Sequence, residues 1–279
     1  MSDVTPDKPE LGGDLLRVHR AVTRAVRVAQ EQGAAYAAAG YPDAETSLEV
    51  AIALIDAGAD VLEIGLPYSD PLADGATIQH ASAVALSHGA TLDRSIEFIG
   101  HVHQARPQTP LVTMGYCNQV LGGRDGATVL RRLADAGVSG FILADITPDE
   151  SGQVESEAAA LGIGLIYLVA PTTLPERIPL VAARSQGFLY AVSLAGVTGA
   201  RTSLPPGVKR FLRSVREVSP VPVAVGFGVS KPAHARQLAP VADGVITASA
   251  LIDALGPDGT DIESMTALAT SLREACVRP

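Results

Sequence analysis

Short apolar runs and longer amphipathic stretches alternate along most of the chain, and this alternation limits the folds open to it. The runs lie at 35–39, 60–66, 110–115, 139–144, 163–169, 187–192, 221–226 and 242–247. Runs this short, bounded by Gly, Pro and Asp, read as buried strands. The stretches at 43–57, 77–104, 126–136, 149–161, 175–184, 205–217, 231–238 and 261–276 read as helices. Strands that alternate with helices pair in parallel. Eight such units in 279 residues predict a closed (β/α)8 barrel. An open doubly wound sheet is the alternative; against it, no GxGxxG follows the first strand. Ahead of that strand Leu15, Val18, Val22, Val26 and Ala29 recur at helical spacing, so 14–33 reads as an extra N-terminal helix. Residues 1–13 read as a disordered tail. No linker or repeat divides 14–279, which is expected to be a single barrel domain.

Hydrophobic residues make up 47% of the chain, enough for a large core, and the formal net charge is −9. A negative balance argues against nucleic-acid binding, which needs a basic surface. It leaves room for an anionic substrate, because backbone N–H groups at helix starts hold phosphate well. Cys117 and Cys276 are too few for a disulfide framework or a cysteine metal site. The histidines show no metal-ligand spacing, so no metal is expected. The polar, acidic start is no secretory signal, and no apolar run nears the roughly 18 residues of a membrane span. A soluble, cytoplasmic protein without membrane contact is expected.

Residues 61–76 read VLEIGLPYSDPLADGA, a strand that ends in a loop punctuated by Gly and Pro. Strand side chains alternate, so Glu63 shares a face with Val61, Gly65 and Pro67, while Leu62, Ile64 and Leu66 take the other. A carboxylate among apolar residues needs a partner or a raised pKa, and a raised pKa suits proton transfer near neutral pH. Asp74, on the following loop, supplies a second acid. The plainer readings are a structural Glu63 bonded to a hydroxyl and an Asp74 that caps the helix beginning at Ala76. In a barrel the active site lies where strands run into their following loops, which is where both acids fall.

Three glycine-rich segments follow later strands. SLAGVTGA at 193–200 offers exposed N–H groups, as any loop of small residues would. VAVGFGVSKP at 223–232 has the pattern of a backbone nest for an anion. ITASALI at 246–252 places Ser249 at a helix start. Loops after the seventh and eighth strands form the common phosphate site of this fold. Tyr190, on the sixth strand, and Tyr116, after the third, are of a kind more often found in cores than in catalysis. No lysine sits in a strand, which disfavours Schiff-base chemistry.

Together these segments resemble the tryptophan synthase α-subunit family. LEIGLPYSDPLADG (62–75) is near a family signature; PTTLPERI (171–178), YAVSLAGVTGAR (190–201) and PVAVGFGVSKP (222–232) follow in the expected order. The resemblance runs from about Leu15 to the C-terminus. It implies a barrel that splits indole-3-glycerol phosphate, without a cofactor, into indole and glyceraldehyde 3-phosphate. It implies Glu63 and Asp74 as the catalytic acids, with Tyr190 as an active-site tyrosine. Tyr36 and Tyr116 fall on the walls around the indole. Thr198 is implied to meet Asp74 in the closed site. Gly199, Gly228, Ala248 and Ser249 occupy phosphate-binding positions. Asp70, Pro71 and Asn118 match positions that meet a β subunit, in what would be an α2β2 complex. The chain departs from the family pattern at Ala35, Ala37 and Ala38 in the first strand, at Ala76 and Ala248, and at Thr147, where Pro148 comes one place late. A free-standing lyase of the same chemistry, or a non-catalytic subunit that activates a β partner, are the competing readings.

Overall fold

The computed structural model describes residues 32–122, 125–192, 204, 206–226 and 228–276. Its strands are β1 (Gln32–Ala38), β2 (Val61–Gly65), β3 (Leu111–Gly115), β4 (Val138–Leu143), β5 (Gly164–Leu165), β6 (Leu168–Val169), β7 (Leu189–Val192), β8 (Val223–Gly226) and β9 (Gly244–Thr247). All neighbours pair in parallel, in the order β5-β4-β3-β2-β1-β9-β8-β7-β6. The ends of that order belong to one segment. β5 pairs with β4, and two residues later β6 pairs with β7. Ile166 N donates to Phe141 O at 2.9 Å, and Tyr190 N to Tyr167 O at 3.0 Å, so hydrogen bonding continues across the gap. Counting β5 and β6 as one strand gives the eight-stranded closed barrel expected from the alternation.

Period-two alternation sorts the side chains into two layers. Val61, Val112, Met114, Ile142, Ile166, Phe188, Tyr190, Ala224 and Ile246 fill the barrel interior. Leu62, Ile64, Leu111, Phe141, Leu189 and Val225 face the surrounding helices. The second strand therefore faces as its sequence implies, with Val61 inward and Leu62 and Ile64 outward.

Three boundaries differ from expectation. The 77–104 stretch is two helices, Ala76–Ser87 and Leu92–Ala105. The break is Gly89, at φ 83°, and Thr91 Oγ1 caps the second helix by accepting from Arg94 N at 3.2 Å. Gln32 and Gly33 are strand, not the end of a leading helix, because they pair with Gly244 and Val245 of β9. Residues 14–31 of that expected helix, and the expected tail at 1–13, lie outside the described residues. A short helix, Cys117–Leu121, follows β3 where no helix was expected, while helix Ser249–Ala254 begins after β9 at the expected residue. Among the described residues no helix is long and apolar enough to cross a membrane.

Candidate active site

Glu63 points into the mouth of the barrel from the middle of β2 and is buried. Its Oε2 has no hydrogen-bond partner among the described residues. Burial, and then the nearby charge of Asp74, push its carboxyl up to about 8. The parallel register sets Tyr36 of β1 beside Glu63. The Tyr36 phenol leans over Gly65 and that of Tyr190 over Gly226, each into space that a Cβ would occupy. Burial raises both phenols far above their usual range, and the two acids add to the effect.

Asp74 reaches the same mouth from the loop after β2. It is not a helix cap: Gly75 occupies that place, with no side-chain bond to the helix. The loop curls so that Leu72 N donates to Asp70 O at 2.9 Å and Asp74 N to Pro71 O at 3.0 Å. Gln79 Nε2 donates back to Asp74 O at 2.9 Å. Burial raises the Asp74 carboxyl to about 6, while a hydrogen bond from Tyr116 works against that rise. Glu63 is thus pushed above neutrality and Asp74 less far, which sets the two carboxyls apart.

Tyr116 fastens this loop. It follows β3, accepts from Ala73 N at 3.0 Å, and stacks on Tyr68 at 5.2 Å between centroids. Asn118 Nδ2 donates to Tyr68 Oη at 3.1 Å, and Gln119 Nε2 to Pro67 O at 2.8 Å. Asp70 and Asn118 are exposed on this outer edge, with Pro71 partly so; Leu72 between them is 93% exposed. Sequence reasoning missed Tyr68 and Gln119 as loop anchors. It also missed that Gly65 and Gly226 make room for the phenols, although glycine inside a strand often marks a close approach.

The opposite wall is glycine and serine. Gly228, at φ 81°, Ala248 and Ser249 line the same cavity as Tyr36, Glu63, Asp74 and Tyr190. Ala248 has φ −122°, so its methyl group incurs no left-handed strain. The first N–H groups of helix Ser249–Ala254 lack intrahelical carbonyls and are open to an acceptor. Ala76 is the first residue of its helix, where proline and alanine are both accommodated. Thr147 turns the chain, accepting from Glu150 N at 3.1 Å. Thr198 and Gly199 lie outside the described residues. A separate cavity of about 260 Å³, lined by Ala44, Leu48, Arg94 and Phe98, lies among the outer helices and includes none of the candidate residues.

This arrangement has close counterparts. A solved structure of tryptophan synthase from Mycobacterium tuberculosis superposes with a TM-score of 0.82 at 35% identity, covering 94% of this chain and 97% of the other. A tryptophan synthase subunit alpha from Legionella pneumophila gives 0.82 at 31% identity, covering 94% and 98%. The tryptophan synthase alpha chain of Deinococcus radiodurans is 44% identical over 264 residues, 94% of this chain and 95% of its own length. That of a Roseiflexus species is 44% identical over 241 residues, 85% and 92% of the two chains. The family model for the tryptophan synthase alpha chain matches residues 26–276, which takes in both acids and the glycine-lined wall, and the chain belongs to that family.

Proposed function

We propose that the chain is the α subunit of a tryptophan synthase and cleaves indole-3-glycerol phosphate to indole and glyceraldehyde 3-phosphate. The observation that carries this reading is the pair of acids in one apolar mouth, held near 8 and near 6. Near pH 7 Glu63 holds a proton to give and Asp74 holds a charge.

The chemistry needs both. Glu63 gives its proton to indole C3. The positive charge that develops on the ring is stabilised by ionised Asp74 near the indole N–H. Glu63, now a carboxylate, takes the proton of the hydroxyl on the adjacent glycerol carbon. The C–C bond breaks, its electron pair returns to the ring as indole, and the hydroxyl carbon becomes the aldehyde. Tyr190 and Tyr36 wall the reacting region, and Tyr116 holds the Asp74 loop. Gly228, Ala248 and Ser249 take the phosphate through N–H groups, so binding remote from the reaction positions the bond that breaks. Gly199 joins that cradle and Thr198 meets Asp74 in the closed site, as the family resemblance implies.

We place a β subunit against Asp70, Pro71 and Asn118, in an α2β2 complex within the cytoplasm. The exposed Leu72 between them supports a partner on this edge. The reaction needs no cofactor. The test is release of indole by the purified chain, alone and with a tryptophan synthase β subunit. Slow turnover alone and faster turnover with the partner is expected. No turnover in either case would sink the reading, and equal speed in both would make the chain a free-standing lyase.

A further inference from the structure

Charge is unevenly spread around the barrel. Residues 204–240 carry six of the chain's 21 lysines and arginines, Lys209, Arg210, Arg213, Arg216, Lys231 and Arg236, but only one of its 30 acids, Glu217. That segment is net +5 in a chain of −9. Elsewhere arginines pair with carboxylates, as in Arg132–Asp93 and Arg184–Glu155. Lys209, Arg210, Arg213, Lys231 and Arg236 have no ion pair among the described residues. A solvated amphipathic face explains charge on these helices, with Val208, Leu212 and Val215 buried beneath it. It does not explain a single sign.

The fold divides these cations between two ends. Helix Val208–Val218 is the next described element after β7 and leads down to β8. Arg216, in its last turn, pairs at 2.7 Å with Asp243, which immediately precedes β9, so this end lies at the bottom of the barrel. Lys209 and Arg210, in its first turn, therefore lie at the mouth, and both are exposed. Exposed Lys231 directly follows Gly228–Ser230, which line the candidate phosphate wall. Across the mouth the loops after β2 and β4 carry Asp70, Asp74, Asp145 and Glu150, with Asp149 there neutralised by its ion pair with Arg177. The mouth is thus cationic on the β7–β8 side and anionic on the β2–β4 side.

We infer that Lys209, Arg210 and Lys231 form a capture rim that draws the phosphate end of an anionic substrate to the β7–β8 side of the mouth and turns its neutral ring toward the acids. The inference rests on the reading of the site as one for indole-3-glycerol phosphate, and it adds how that substrate arrives. A rim of this kind acts on encounter rather than on bond breaking. Such fields raise association rates by about 10- to 1,000-fold and fade as salt rises.

The test is stopped-flow association of an uncleavable indole-alkyl phosphate with the full chain, from low to high salt. The triple variant Lys209→Glu/Arg210→Glu/Lys231→Glu should slow association at least ~10-fold at low salt, with the difference shrinking as salt rises. The milder Lys209→Gln/Arg210→Gln/Lys231→Gln variant, which adds no repulsion, should show a smaller loss of the same salt dependence. Arg236→Glu, the same change of sign in the last turn of helix Pro232–Leu238, should stay within ~2-fold of wild type. Triple variants within ~2-fold of wild type would overturn the inference, and so would an Arg236→Glu loss as large as theirs, which would mark a net-charge effect. If the wild-type chain bound no indole-alkyl phosphate at all, the functional reading itself would fall, and this inference with it.

Discussion

The phenol of Tyr36 occupies the place where a side chain on Gly65 would begin. A Cβ built on Gly65 would overlap Tyr36 Oη and stand 2.8 Å from Cε2. Glycine on β2 thus gives the β1 tyrosine its position beside Glu63. Gly65→Ala should cost about 1–3 kcal/mol, as overpacking does, and should lower turnover by displacing the phenol. Adding Tyr36→Phe should recover little, because the ring itself also approaches Gly65 closely. Adding Tyr36→Val should recover stability but not activity. Thermal melts and indole release separate these outcomes; an unperturbed Gly65→Ala protein would refute the packing.

Activity should follow a bell-shaped pH profile. Asp74 must be ionised and Glu63 protonated, so kcat/KM should fall below about 6 and above about 8. Glu63→Gln should lower turnover at least ~10²-fold, the low end for acid–base catalysis. Its stability should move the other way. The folded-state pKa of Glu63 is raised, so its favourable contribution is complete below the unfolded value near 4.5 and is lost as pH rises through about 8. Glutamine has no charge to bury, so the variant should gain on wild type by about 1 kcal/mol or more at pH 8 and by little at pH 4. A flat difference across that range would contradict a buried, neutral Glu63.

Tyr116→Phe tests the loop anchor. It removes the hydroxyl that accepts from Ala73 N and that holds the Asp74 carboxyl down. The acid limb of the pH profile should therefore shift to higher pH, while the basic limb, set by Glu63, stays in place. Loss of activity with both limbs unmoved would assign Tyr116 a packing role only.

Ala248→Gly tests the phosphate wall. Because Ala248 already has negative φ, a glycine there relieves no strain. Affinity for a glycerol phosphate analogue should change by less than ~10-fold, or about 1.4 kcal/mol. A larger gain, read by calorimetry, would show that the methyl group obstructs the cradle.

Legibility followed the range of the interaction. The direction of Glu63 was readable because alternation along β2 is local, and so was the division into helices and strands. The early start of β1 was not, because Gln32 and Gly33 are strand through pairing with Gly244 and Val245 at the far end of the chain. The break at Gly89 carried a local signal in Gly89 and Thr91, but apolar residues on both sides continued the helical spacing across it. Asp74 was readable as the second acid from its place after β2, with a helix cap as the plainer alternative; the turn of its loop, tied to Tyr116, directs it to the mouth. The partnership of Tyr36 with Gly65 needed the register between two strands, which no single segment encodes.

The handover between β5 and β6 gives the cylinder a seam. Each pairs over only two residues with its neighbour, where β1 and β2 share five. The wall is therefore least stitched along Gly164–Val169, and a cut there would leave one continuous sheet running from β5 through β1 and β9 to β6. Tyr36 on β1 and the acids on and after β2 lie on the side joined through the β1–β9 pairing to Ser249, which follows β9, whereas Tyr190 on β7 lies beside the seam strand β6. Strain that opened the cylinder along this line would leave the candidate acids beside Ser249, because β1 and β9 stay paired, and would first displace Tyr190 on β7, one strand from the seam.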